Sequence, residues 1–357
     1  MMDTPVDPPA ERVLPSDPAP SAPRLWPGLL AWSALCIVYL ALDFFGIVDG
    51  LWLAVPVIAA LVAARALDQW PGTREWTPVL GGFFAGALLF GGLALLGLYP
   101  RWSWLQDLAN LQEIVPAFLA LGVVSFFFLI RWVRVSTLRA FGLKPRSAVH
   151  TVSAVMFLGI LVLSASIIFL LRGHPGEEVL LRPTDPLFYL LIGGGVALAG
   201  AGFLLSRDLR TTLTRLDFRK ITLRQVGWSL VVAALMLAVA GLLTHAGSLL
   251  FPGTFALEER YRLNFTGMPP FLGPLLMASA AGAGEEAVFR GAMQPRFGII
   301  PTALLSAAIH TQYQLPTIAV LFVIDVATGL IKERTSTTFV VCVHTFYDLA
   351  AYLLPDF

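Results

Sequence analysis

Apolar runs of about 17 to 25 residues recur along most of this 357-residue chain, each long enough to cross a hydrocarbon core of about 30 Å as a helix. Inside such a core no water is present to bond the backbone, so only helices or a closed barrel can span it. A barrel strand needs only about 9 to 11 residues, so runs of this length predict helices. They fall at 27–48, 51–67, 79–99, 114–133, 148–171, 187–205, 225–251, 271–289, 299–314, 315–331 and 336–354. The expectation is an all-α, polytopic transmembrane bundle of about eleven spans. Composition agrees: 57% of residues are hydrophobic and 13% charged, against roughly 25% charged in soluble domains.

Residues 1–25 are rich in proline and acid and cannot bury a core, so they are expected to form a disordered tail. No basic stretch leads into a short apolar segment with a small-residue cleavage site, so the first span is expected to be retained. Cys36 and Cys342 lie far apart in separate apolar runs, which supports neither a disulfide framework nor a thiolate metal site. Loop charge sets the orientation. Residues 131–147 carry five Lys/Arg and no acid, and 206–224 carry many Lys/Arg against Asp208 and Asp217. Both are expected to face the cytoplasm, and counting spans outward puts the N-terminus there too. A boundary at the second basic loop divides the chain into the tail, an N-terminal transmembrane region (26–224) of about six spans, and a C-terminal region (225–357) that holds most of the intramembrane histidines and acids.

Within that last region, "GAGEEAVFRG" places Glu285, Glu286 and Arg290 in an apolar run. Each ionised side chain at a helix centre costs about 2.5 to 3.5 kcal/mol on insertion scales, so something must offset the cost. Glu286 and Arg290 stand at i and i+4, on one helix face, and can pair. Glu285 points about 100° away and is left without that partner. The next run carries His310 and the last carries His344 and Asp348, again one turn apart. With the orientation above, Glu285, His310 and His344 lie about 8, 15 and 12 Å from the cytoplasmic ends of their spans. Three helices thus present ionisable groups in one layer, and such groups usually face the bundle interior and mark a functional site. Asp325, inside the run between the two histidine runs, is either a partner for a histidine or a structural acid.

These residues carry a resemblance. "EEAVFR" matches E-E-x-x-x-R, "SAAIH" resembles the small-or-aromatic-x-x-x-His motif, and "HTFYD" matches His-x-x-x-Asn/Asp. Their order and spacing, with the lead "GLIKERTSTTFVVCVH", resemble the CPBP family, the bacterial relatives of the CAAX prenyl endopeptidase, over about 225–357. The resemblance implies an intramembrane endopeptidase of the bacterial cytoplasmic membrane that acts on a membrane-embedded or lipidated protein or peptide. Its site would comprise Glu285, Glu286, Arg290, His310, His344 and Asp348. Glu285 suits the general base and His310 shares the water with it; His344, with Asp348, polarises the scissile carbonyl. The commoner family form has Asn where this chain has Asp348, and an ionised Asp can accept but not donate.

Glu285, His310, His344 and Asp348 would also make an N/O ligand set for a divalent metal such as zinc, although no His-Glu-x-x-His arrangement is present. A metal-free glutamate and histidine mechanism suits the same residues, and the reading leans towards no obligatory metal. Nothing points to nucleic acid. Two other functions compete: a proton-coupled transporter, which predicts paired broken spans in two matching halves, and a non-catalytic membrane scaffold or immunity-type protein.

Overall fold

The computed structural model describes residues 25–48, 51, 54–69, 122–124, 126–170, 179–258, 263–265 and 267–354. Residues 1–24 of the expected tail, the span at 79–99 and much of that at 114–133 lie outside them. The helices in chain order are α1 (Leu25–Phe44), α2 (Ala54–Gln69), α3 (Arg131–Ala140), α4 (Ala148–Leu170), α5 (Asp185–Ala201), α6 (Leu209–Arg215), α7 (Leu223–Leu250), α8 (Pro252–Glu258) and α9 (Leu272–Glu286). A π-helical segment (Ala287–Met293) continues α9 into the short α10 (Gln294–Phe297), followed by α11 (Ile299–Ala308), α12 (Leu315–Arg334) and α13 (Thr337–Leu353). Among the described residues, four helices are long and apolar enough to cross a membrane: α1, α4 (over Ala148–Ala165), α7 and α12; α5, α11 and α13 are shorter and apolar.

The architecture is helical, with one addition that the sequence did not announce. β1 (Val179–Leu181) and β2 (Leu263–Phe265) pair in parallel, Leu180 opposite Asn264, and tie the segment before α5 to the segment before α9. A second difference concerns the run at 299–314. It is not one helix: α11 stops at Ala308, and His310 sits in the turn beyond it. The run at 271–289, by contrast, extends to Phe297 through the π segment.

Polar residues at the helix ends satisfy the first N–H groups, which have no partner within the helix. Thr222 and Gln225 form a reciprocal box at the start of α7. Ser336 accepts from the Phe339 N–H at the start of α13, at 3.2 Å. At α4 the cap comes from another helix: Asp68 of α2 accepts from the Ala148 N–H at 2.6 Å and the Ser147 hydroxyl at 2.7 Å.

α9 lies between α13 and α5, while α7 packs on α13 and α11 on α12. The approach of α5 to α9 is set by small residues, as in other bundles that lack a hydrophobic force between helices. Gly193 meets Gly284 backbone to backbone, and a Cβ on Gly193 would stand 2.5 Å from the Gly284 Cα. Neither main chain can yield without moving its helix. A Cβ on Gly194, one residue on, would meet nothing within 4 Å. Gly193→Ala is therefore expected to cost about 1 to 3 kcal/mol, and Gly194→Ala no more than about 0.5 kcal/mol. Thermal melting of the two detergent-solubilised variants beside wild type checks the difference.

Candidate active site

The packing of α5, α13 and α11–α12 around α9 and its π segment gathers the ionisable residues of α9, the π segment, α12, α13 and the turn after α11 into one cluster. Glu286 ends α9, and Arg290 lies in the π segment that follows it. Such segments are frequent at functional sites, since the added residue re-aims the side chains beyond it. Glu286 and Arg290 are 2% and 1% exposed, so every charge they carry must be met by protein.

Those charges are shared more widely than one helix face allows. Arg290 Nε lies 3.5 Å from Glu286 Oε2, as the i and i+4 spacing predicts. Its Nη2 also pairs with Asp325 Oδ1 of α12 and donates to the Asp325 carbonyl at 3.3 Å. Glu286 turns its other oxygen to His344 Nδ1 of α13, at 2.8 Å, and His344 Nε2 lies 3.2 Å from Asp348 Oδ2. Two ionised carboxylates on one imidazole are both satisfied only by a ring with hydrogen on each nitrogen. Asp325 Oδ1 accepts in addition from the Ser306 hydroxyl of α11, at 3.1 Å, and the Ser306 carbonyl lies 2.9 Å from His310 Nδ1.

One unbroken path of contacts therefore runs Asp348, His344, Glu286, Arg290, Asp325, Ser306, His310. Glu285 is set apart from it. Among the described residues its carboxylate makes no hydrogen bond or ion pair, although His344, His310, Asp348 and Glu286 are all within electrostatic range. It lines a cavity of about 370 Å³ whose other walls are mostly apolar, including Leu61 of α2, Phe157 of α4, Ile192 of α5 and Leu305 of α11. Glu286, Asp325 and Asp348 each lie against Arg290 or His344, so among the described residues Glu285 is the one carboxylate of the four that is bonded to neither.

All six sequence-predicted residues thus lie in or beside one cluster, with two departures from what spacing suggested. Glu286 and Arg290 are not a private pair, because His344 and Asp325 share them. His344 has both ring nitrogens turned to carboxylates, so in this arrangement neither is free for a carbonyl oxygen. The ligand set expected for a metal is divided by the same bonds, and among the described residues no three His, Cys, Asp or Glu side chains form a group that could hold a metal ion. Asp325, expected as a partner for a histidine or as a structural acid, is bonded instead to Arg290 and Ser306, and Ser306 is a member that the sequence reading did not include. The signal for Asp325 was present, a lone acid in an apolar run; Ser306 carried none.

Comparison with known proteins follows the same residues. Residues 267–350 match the family described as type II CAAX prenyl endopeptidase Rce1-like. Over this segment the chain is similar to the CAAX protease family. Every residue of the contact path lies within the matched segment, as does Glu285. A separate likeness is to NADH-ubiquinone oxidoreductase chain 2 of Anas acuta, Mareca americana and Sibirionetta formosa, each 32% identical over 130 residues, 34% of this chain and 36% of the relative. The chain spans about a third of the length of these curated relatives, and their activity is not carried over to it. No solved structure matches.

Proposed function

We propose that this protein is an intramembrane endopeptidase that hydrolyses peptide bonds of membrane-embedded or lipidated proteins or peptides, with Glu285 as general base. The observation that carries this reading is the position of Glu285: an acid with no bonded partner among the described residues, between an apolar cavity and a cluster of imidazoles and carboxylates. A base must have a free oxygen to take a proton, and Glu285 has one. In the proposed reaction Glu285 removes a proton from water as the water oxygen attacks the scissile carbonyl carbon. The same proton then passes to the amide nitrogen as the C–N bond breaks, leaving a carboxylic acid and an amine, and the acid's proton moves to the amine to give a carboxylate and an ammonium group. His310 helps hold the water. His344, bonded on both sides, contributes positive charge beside the developing oxyanion, and Asp348 holds its ring. Glu286 and Arg290 brace the site.

The cavity receives an apolar portion of the substrate, and residues from 26–224 supply much of its wall, which gives the N-terminal region a part in the work of the C-terminal one (225–357). About eleven spans in all, with the N-terminus and the loops 131–147 and 206–224 on the cytoplasmic side of a bacterial membrane, complete the proposed arrangement. Zinc or another divalent ion is not needed for any step written here.

The test compares membrane-protein fragments from cells expressing wild type or Glu285→Gln at equal levels. Fragments present only with wild type are expected; identical profiles under all growth conditions would remove the reading. A proton-coupled transporter, the competing function, predicts identical profiles with altered proton uptake.

A further inference from the structure

Asp325 is the acid of the cluster that the catalytic roles above leave unused, and its placement is specific. One of its oxygens accepts from two elements at once, Arg290 of the π segment and Ser306 in the last turn of α11. Ser306 is 3% exposed and in turn holds His310 through its carbonyl, at 2.9 Å from Nδ1. A carbonyl can only accept, so this bond requires the hydrogen of a neutral His310 on Nδ1 and leaves the lone pair on Nε2. His310 lies beyond the end of α11, where no continuing helix orients it. Among the described residues its other bonds are those of its backbone, which donates to the Ala307 carbonyl at 3.2 Å and accepts from the Tyr313 N–H at 3.1 Å, and its ring stacks on Tyr313, centroids 6.5 Å apart. The orientation of the ring therefore depends on the last turn of α11, and Asp325 pins that turn to Arg290.

We infer that Asp325 is a positioning residue: through Ser306 it fixes His310 in the Nδ1–H form, with Nε2 presented as an acceptor for the water shared with Glu285. The inference rests on the peptidase reading of the site. It assigns no contact between Asp325 and substrate; the effect is transmitted by a partner that orients an imidazole, as supporting hydrogen bonds do at other histidine sites.

The test uses full-length protein with ¹⁵N-labelled histidine in lipid bilayers, where ring nitrogen shifts separate the two tautomers. The chain has five histidines, and the His310 signals are assigned by their loss in His310→Gln. Wild type should show His310 as the Nδ1–H tautomer, while Asp325→Asn and Ser306→Ala should populate the Nε2–H form. With a synthetic peptide spanning a cleavage site found in the fragment comparison, both variants should lower kcat, Asp325→Asn by about 10- to 100-fold, with KM within about twofold of wild type. Ser306→Thr, which keeps the hydroxyl, should restore both tautomer and rate. Ser306→Ala removes one uncharged hydroxyl and guards against a loss of fold in Asp325→Asn. If fragments depend on Glu285 but both variants keep the wild-type tautomer and kcat, this inference alone is overturned. If no fragment depends on Glu285, the peptidase reading fails, and an unshifted tautomer would overturn the positioning role as well.

Discussion

Replacing Arg290 with methionine should destabilise the protein more than any other single change in the cluster, by about 3 to 5 kcal/mol. The guanidinium is 1% exposed and lies against two carboxylates, Glu286 and Asp325. Methionine keeps much of the volume, so the loss is electrostatic rather than a cavity. It leaves two acids in a low-dielectric interior, with His344 the remaining cationic partner of one and Ser306 the remaining donor to the other. Against a total of about 5 to 15 kcal/mol for an ordinary domain, that is enough to empty the folded population of a marginal protein. The double variant Arg290→Met with Asp325→Asn removes one of the orphaned charges and should recover part of the loss, so the two effects should not add. Thermal melting of the single and double variants in one detergent measures this; additive losses would mean that the pair contributes nothing.

Glu285→Gln should behave in the opposite way. It should reduce peptide hydrolysis by about 10²- to 10⁴-fold, the range for loss of a general base, without lowering the melting temperature. The reason is again the bonding: Glu285 has no hydrogen bond or ion pair to forfeit among the described residues, and glutamine fills the same place on the cavity wall. Glu286→Gln, one residue away, should lower stability as well as rate, since it loosens both Arg290 and His344. Adjacent glutamates would thus separate a chemical role from a structural one, provided that activity and melting are measured on the same preparations.

Much of this was legible in the chain itself. The runs at 225–251, 315–331 and 336–354 fall within a few residues of α7, α12 and α13, because in lipid a helix must be long and apolar and little else. The i and i+4 pairs, Glu286 with Arg290 and His344 with Asp348, followed from helical pitch alone. Contacts between helices were less visible, for a reason particular to membranes. Residues that face lipid and residues that face the bundle are alike apolar, so periodicity does not mark the inward face. Leu242 is largely exposed and Leu305 buried, yet nothing in their neighbourhoods tells them apart. Gly193 against Gly284, Asp325 against Arg290 and Ser306, and Glu286 against His344 all join distant parts of the chain, and none leaves a local pattern. The π segment was likewise hidden, because its composition suits an α-helix equally well.

A single reconstitution bears most directly on the proposal that Glu285 drives hydrolysis within the membrane. Purified wild type and Glu285→Gln, matched for melting temperature and for orientation in liposomes, would be given one transmembrane peptide drawn from the fragment comparison, and the new N-termini would be counted by mass spectrometry. Cleavage at one bond by wild type, with a loss of at least about 100-fold in Glu285→Gln, is the expected result. Equal cleavage by the two proteins would contradict the assignment of Glu285, and no cleavage by either would contradict the peptidase reading itself.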